Sequence, residues 1–375
     1  MSEQEKLEVG IDLMEVWLKA MVEGDASDLI LRAGRRPCCR IDGGITFLKG
    51  EVPKGEGLVE VLRPYIGERN LDIWMRTGHL DASVMHQSLG RYRLNGFRQL
   101  GEPAAVLRRV ADQAPELGKL DLPTKHLEKL AVRKRGLVLV TGIAGSGKST
   151  TLAAMIQQLN RTLPRHVITL EDPVEILYTE DRCVISQREL GTDFDDFQHG
   201  LSHALRQSPD VILIGEMRDA ATVQAALDAA ETGHLVLSTL HTVNAARTLD
   251  RVLSFFPARQ HAQVCMRLSD NLAGILSQRL VSRRGVAGMI PAVELLTGVP
   301  RVKEILLEGE TVEIARLLAK GGVEGLISFN ESLAHLVQHG LVDVDTAMAA
   351  SDRPEELALV LRGFSGGSKS RLRMA

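Results

Sequence analysis

The densest chemistry in this sequence sits in GIAGSGKST, residues 142–150. Gly142, Gly145 and Gly147 let a loop aim backbone N–H groups at one point, Ser146 lies within the turn, Lys148 adds a positive charge, and Ser149 and Thr150 add hydroxyls. Such a loop cradles phosphate oxygens, because converging N–H groups and the positive end of a following helix bind anions. Its lysine reaches the β- and γ-phosphates of a nucleotide and its serine suits Mg2+. The expected ligands are therefore ATP, held by Gly142, Gly145, Ser146, Gly147, Lys148, Ser149 and Thr150, and Mg2+ at Ser149. Apolar LVLV before the loop reads as a buried strand, and the pattern after it reads as a helix.

Three further stretches place polar groups where strands end. VITLEDPVE puts Glu171, Asp172 and Glu175 after an apolar run, and DVILIGEMRD puts Glu216 in the same position. In an open parallel sheet the carboxyl ends of strands surround the ligand, so these carboxylates can polarise water or hold Mg2+ through solvent. An Asp is expected before Glu216, but Gly215 stands there, which leaves Glu216 to serve the metal–water shell. Spacing does not divide the roles of Glu171 and Glu216; Glu171 is preferred as the base because Glu216 is occupied with metal. In ETGHLVLSTLHT, His234 opens a strand and His241 closes it. His241 is suited to donate to the γ-phosphate, and His234 is included in the nucleotide-binding set.

The elements that must position these groups fall into two regions. Residues 1–110 read as a small α+β domain. Leu7, Ile11, Met14, Leu18 and Met21 mark one helix face, Asp42-Gly43-Gly44 marks a hairpin turn, a helix is expected around 56–66, and strands follow in 82–110. Residues 111–125, rich in Pro, Gly and Asp, read as a linker. Over 126–362 strands alternate with helices, which implies a mostly parallel α/β sheet covered on both faces. Beyond Pro257 the pattern reads as mainly helical, apart from GMIPAVELL. The basic, Gly/Ser-rich residues 363–375 read as a disordered tail or a weak electrostatic contact.

Composition narrows the class. Of 375 residues, 44% are apolar and 25% charged, as in an ordinary globular protein. Aromatics at 3% and a net charge of −3 argue against a nucleic-acid channel, which uses stacked rings and basic stripes. No apolar run approaches membrane-spanning length, and the charged N-terminus lacks a signal-peptide core, so a cytoplasmic protein is expected. Cys38, Cys39, Cys183 and Cys265 form no C-x-x-C pair, so neither zinc nor a disulfide framework is indicated.

Taken in order, GIAGSGKST, LEDPVE, IGEMRD and TGHLVLSTLHT resemble the Walker A, Asp box, Walker B and His box of the type II/IV secretion and pilus ATPases. SDLILRAGRRPCCRIDG, RYRLNGFRQ, AAVLRRV and LSQRLV extend that resemblance over nearly the whole chain, most closely to the twitching-motility, pilus-retraction branch. The resemblance implies a RecA-like ATPase domain preceded by a PAS-like domain, a homo-hexameric ring, and ATP held between the two domains. It further implies arginines from the first domain on the phosphates, carried over as Arg93 and Arg108, with Arg91, Arg98 and Arg109 close enough to confuse the assignment. The implied partners are an inner-membrane pilus platform protein and, as an open option, a second retraction ATPase. The implied place is peripheral, at the inner face of the cytoplasmic membrane, with no nucleic acid. A tetracysteine module, the mark of the assembly branch, is absent. RVKEILLE, residues 301–308, keeps only part of the retraction branch's A-I-R-N-L-I-R-E helix, which leaves an accessory retraction subunit as the alternative to an autonomous motor. Ala144 replaces a usual Thr in the loop. A guanine switch is disfavoured because no N-K-x-D stretch exists; a nucleic-acid-directed RecA-like motor is the other rival.

Overall fold

The computed structural model describes the backbone of residues 3–41, 43–110 and 113–365, and side chains from 13 to 362 within them. Two compact units result: Met1–Gln113 with Glu175–Leu177, and Ala114–Val174 with Tyr178–Ala375.

The first unit runs α1 (Glu3–Glu23), β1 (Asp28–Arg32), β2 (Cys38–Ile41), β3 (Gly44–Phe47), α2 (Gly57–Thr77), β4 (Leu80–His86), β5 (Gly90–Gln99) and β6 (Glu102–Arg109). Its antiparallel sheet has the order β3-β2-β1-β6-β5-β4. Met14, Leu18 and Met21 of α1 and Leu58, Leu62 and Trp74 of α2 share a core with Leu29, Leu31, Tyr92, Leu94 and Leu107. Leu7 and Ile11 of the expected helix face lie outside the described side chains. Successive strand side chains point to opposite faces, so Tyr92 and Leu94 enter this core while Arg91, Arg93 and Asn95 face away from it. The expected hairpin forms between β2 and β3; Gly43, at φ +80°, takes the left-handed conformation, and Asp42 lies outside the described residues. The helix expected around 56–66 is the first half of α2, which breaks at Gly67 (φ 75°, ψ 163°).

The second unit holds α3 (Thr124–Ala131), β7 (Gly136–Thr141), α4 (Lys148–Thr162), β8 (His166–Glu171), β9 (Val184–Glu189), α5 (Phe197–Ala204), β10 (Val211–Ile214), α6 (Ala220–Glu231), β11 (Leu235–Leu240), α7 (Ala245–Ser254) and α8 (His261–Asn271). It continues with β12 (Leu272–Ser282), β13 (Met289–Thr297), α9 (Pro300–Glu308), α10 (Thr311–Lys320), β14 (Leu326–Ile327), α11 (Phe329–Gln338), α12 (Val344–Ala350) and α13 (Pro354–Ser365). The sheet order is β14-β13-β12-β7-β11-β10-β8-β9. From β12 to β9 every pairing is parallel, while β13 and β14 add antiparallel. Leu137 and Leu139 enter one hydrophobic core with α5–α8, and Val138 and Val140 enter another with α3 and α4. An uninterrupted apolar strand is what a sheet buried on both faces requires.

Three expectations change, and one strand without a sequence expectation is added. Beyond Pro257 the chain is not mainly helical up to GMIPAVELL: β12, eleven residues long, pairs with β7 and β13. Its apolar run follows α8 with no Gly or Pro between, and periodicity does not separate a short buried strand from a continuing helix. β9 (VISQRE) lacks an apolar pattern and is set by pairing with β8. In the expected linker, Leu117 and Leu122 are buried with α3 and α4. In the expected tail, residues 363–365 continue α13; residues 366–375 lie outside those described.

Candidate nucleotide site

The carboxyl ends of β7, β11, β10 and β8, neighbours in the sheet, gather the phosphate loop, His241, Glu216 and Glu171 along one edge of the second unit. The loop joins β7 to α4. Gly142 (φ 149°), Gly145 (φ 76°) and Gly147 (φ 89°) all adopt positive φ, where side chains are disfavoured. At Gly142 space is also short: a Cβ there would lie 2.3 Å from Ser146 Oγ and 2.5 Å from the Gln278 carbonyl oxygen. Gly147 caps α4 without a side-chain acceptor, so the helix's positive end is left to its ligand. Lys148 is buried, and its Nζ donates to Gly142 O (2.8 Å) and Ile143 O (3.0 Å). Ser146 Oγ is buried without a hydrogen-bond partner, while Ser149 and Thr150 are exposed at the start of the helix.

His241 links the loop to Glu216. Lys148 Nζ stands 3.5 Å from His241 Nδ1 and His241 Nε2 stands 3.6 Å from Glu216 Oε1. An ammonium can only donate, so Nδ1 accepts and Nε2 carries the proton that faces Glu216. Arg218 donates to Glu216 Oε2 at 2.9 Å and to Asp172 Oδ2 at 3.3 Å. Its guanidinium is held above its usual range, first by the Glu216 hydrogen bond. Glu171 Oε1 accepts from Thr169 Oγ1 (2.6 Å) and Gln187 Nε2 (3.3 Å). Burial, and then the charge of Glu171, push the nearby Tyr178 phenol well above its normal range. Gly215 has a local reason: a Cβ there would press on Leu170 O at 3.3 Å, and Gly215 O accepts from Thr239 Oγ1 at 2.6 Å.

No group of three or more His, Cys, Asp or Glu able to hold a metal exists among the described residues. The donor set suits Mg2+ bound through phosphates, water and the Ser149 hydroxyl, the habit of an ion that keeps several waters.

One member of the expected set lies elsewhere in this unit, and two belong to the first unit. His234 stands at the other end of β11, about six strand residues or ~20 Å from His241. Its Nδ1 lies 2.9 Å from Ala229 O and 3.1 Å from Thr232 Oγ1, so it braces the turn after α6 and leaves the nucleotide set of its own chain. Arg93 and Arg108 belong to the first unit, directly opposite each other on β5 and β6. Arg108 Nε donates to the buried Asp28 at 2.8 Å, and Arg93 lies 4.0 Å from Asp81. Arg91 donates to Ser83, Arg98 to Glu56, and Arg109 lies 4.0 Å from Asp25.

Sequence reasoning missed Arg218 and Gln187, which hold the two carboxylates, although IGEMRD displays Arg218 in plain view. It also missed a buried hydroxyl chain: Ser277 Oγ lies 2.8 Å from Thr141 Oγ1, Thr248 reaches Thr141 at 3.4 Å, and Thr242 lies 2.7 Å from Thr248. This chain ties the base of the phosphate loop to β12 and to the residue after His241.

A family model described as type II/IV secretion system protein matches residues 76–292. The type IV pilus ATPase PilU of Pseudomonas aeruginosa is 36% identical over 348 residues, spanning 93% of this chain and 91% of its own length. The type IV pilus retraction ATPase PilT of the same organism is 35% identical over 345 residues, spanning 92% and 99%. A crystal structure of the pilus retraction motor PilT with bound ADP superposes with a TM-score of 0.85 at 41% identity, covering 91% of this chain and 97% of that one.

Proposed function

The chain belongs to the type II/IV secretion system protein family, and we propose from this that it hydrolyses ATP to power the retraction of type IV pili. The observation that carries the reading is the run Lys148–His241–Glu216 along one sheet edge, at 3.5 and 3.6 Å, beside a phosphate loop. A relative that binds ADP on this fold supports nucleotide use.

Loop N–H groups and the α4 N-terminus hold the β- and γ-phosphates, and Lys148 exchanges its loop carbonyls for phosphate oxygens. Mg2+, when bound, neutralises charge developing on the phosphates, and Ser149 and Glu216 are the residues that would hold it, Glu216 through water. Glu171, oriented by Thr169 and Gln187, takes the proton of the attacking water. His241, with Nε2–H toward Glu216, is placed to respond to loss of the γ-phosphate and to pass that change to α7. Arg93 and Arg108 present two guanidiniums directly opposite in a β ladder, a pair suited to bind an anion such as the γ-phosphate by exchanging Asp81 and Asp28 for it.

The working assembly in this reading is a homo-hexamer that acts on a platform protein at the inner face of the cytoplasmic membrane. No described helix is long and apolar enough to cross a membrane. Deleting the gene and imaging surface pili tests the reading: hyperpiliated cells that fail to retract are expected, and bald cells would overturn it. In the purified protein, Lys148→Ala abolishes turnover.

A second reading, an accessory retraction subunit with weak turnover of its own, is favoured by α9. Val302, Ile305 and Leu306 are buried, whereas the divergent Arg301, Lys303, Glu304 and Leu307 lie on its exposed face, where a motor would meet its neighbours. The turnover of the isolated protein separates the two.

A further inference from the structure

The second unit contains a cleft of about 780 Å3, away from the phosphate loop, between the N-terminus of α7, β13, α10, α11 and α13. Leu318, Phe329, Leu359 and Val360 give it apolar wall, and Glu294 of β13 also lines it. Glu294 is 9% exposed. Its Oε1 accepts from Ala245 N–H at 2.8 Å; among the described residues no cation stands within salt-bridge distance of it. Of the other charges lining it, Asp352 pairs with Arg279, Arg353 with Glu356 and Arg316 with Glu313, and Glu331 caps α11; Lys320 also lines the cleft, beyond salt-bridge distance of Glu294. A buried carboxylate without an ion pair is an expensive arrangement. Burial pushes Glu294 up to about 7, against Ala245 N–H, Arg279 and Arg353 pulling it down and Asp352 raising it.

The segment that follows His241 rests on the same anchors. Arg279 stacks on Phe329 at 4.0 Å, donates to Ala350 O at 2.7 Å and reaches Val243 O at 3.3 Å, while Glu294 holds Ala245. Whatever occupies the cleft therefore bears on the residues leading out of the nucleotide site.

We propose that this cleft is the docking site of the chain's own basic C-terminal segment, residues 366–375, with a lysine or arginine of that segment paired to Glu294. The segment, GGSKSRLRMA, leaves α13 at Ser365, only five residues or ~7.5 Å of helix beyond Val360 in the cleft wall. Gly366 and Gly367 permit a reversal of direction, and six extended residues then span ~20 Å, enough to return along α13. An extended chain puts Lys369, Arg371 and Arg373 on one side and Leu372 and Met374 on the other, matching a carboxylate set among apolar walls. The tether makes the encounter intramolecular, at an effective concentration on the order of millimolar.

The test is a zero-length carbodiimide crosslink on the full chain, read by peptide mass spectrometry. Carbodiimides activate protonated carboxyls, so Glu294 is reactive near neutral pH. The expected product joins Lys369 to Glu294 or Glu356. Mixing heavy-isotope and normal chains identifies its source, and the expected product carries a single isotope. Mixed-isotope products would make a second copy the occupant, and a Lys320–Glu294 product with none from Lys369 would make the cleft self-satisfied; either overturns the proposal. In parallel, Met374→Cys carrying an environment-sensitive dye should show blue-shifted emission that is lost near ~1 M salt, where the Debye length is ~3 Å. The same loss is expected in Glu294→Gln and in Lys369→Ser/Arg371→Ser/Arg373→Ser, whose substitutions lie outside the described fold. Emission unchanged by the triple substitution would refute the docking.

Discussion

Two glycines in the phosphate loop should respond very differently to the same substitution. Gly145 has φ 76° and nothing within 4 Å of the place an added methyl would take, so Gly145→Ala bears only the backbone cost of a positive φ, roughly 1–2 kcal/mol. Gly142 has φ 149°, and its Cβ would meet Ser146 Oγ at 2.3 Å and the Gln278 carbonyl at 2.5 Å. Ser146 can rotate, but the Gln278 carbonyl belongs to β12 and moves only with the sheet. Backbone strain of roughly 1–3 kcal/mol and overpacking of about 1–3 kcal/mol then sum to about 2–6 kcal/mol. A loop that relaxes away from this strain when empty must take it up again to bind, so at 1.4 kcal/mol per tenfold Gly142→Ala should weaken nucleotide binding by about 30-fold or more, while Gly145→Ala stays below that. A fluorescent-nucleotide titration measures both, with thermal unfolding alongside to separate local from global damage. If Gly142→Ala binds nucleotide as tightly as Gly145→Ala, the loop does not depend on its approach to β12 and the reasoning fails.

Glu171→Gln should lower turnover by roughly 10²–10⁴-fold with little change in the Mg2+ requirement, whereas Glu216→Gln should raise that requirement; the reverse pattern in a Mg2+ titration exchanges their roles. Arg93→Ala and Arg108→Ala should keep nucleotide binding while turnover collapses, and normal turnover in both would reduce them to surface charges. Arg108→Ala should also lower the unfolding temperature more than Arg93→Ala, because it strips the buried Asp28 of its 2.8 Å partner. Glu294 links pH to stability. Its pKa is raised from 4.5 to about 7, so the folded chain holds the proton more tightly and loses stability as pH climbs through that window, by about 3 kcal/mol in all. Glu294→Gln should flatten that slope. Unfolding followed against pH in the variant lacking the tail charges, where no docked cation masks the effect, checks it; an unchanged slope refutes the assignment.

The phosphate loop was legible because its chemistry is local: the glycines, Lys148 and Ser149 act through backbone that is contiguous in sequence, flanked by a strand and a helix of opposite periodicity. The strand-end positions of Glu171, Glu216 and His241 were legible for a similar reason, since a buried parallel strand is an apolar run that stops where the ligand edge begins. Tertiary structure decided what depends on register and neighbours. β9 exists because β8 offers it an edge, and β12 because β7 and β13 flank it, not because either segment has a strand pattern of its own. His234 and His241 look equivalent on paper; the length of β11 sends one to the ligand edge and the other to the opposite end. At Gly215, where an Asp was expected, a Cβ would lie a tight 3.3 Å from Leu170 O, a contact made across the β10–β8 pairing, in which Ile214 lies beside Leu170. Arg218, Gln187 and the hydroxyl chain from Ser277 to Thr242 acquire meaning only when the six strands from β12 to β9 lie side by side. The buried charge of Glu294 was invisible for the same reason: a glutamate in GMIPAVELL reads as one polar residue in an apolar strand, and only the packing of α7, α10, α11 and α13 around β13 removes it from water.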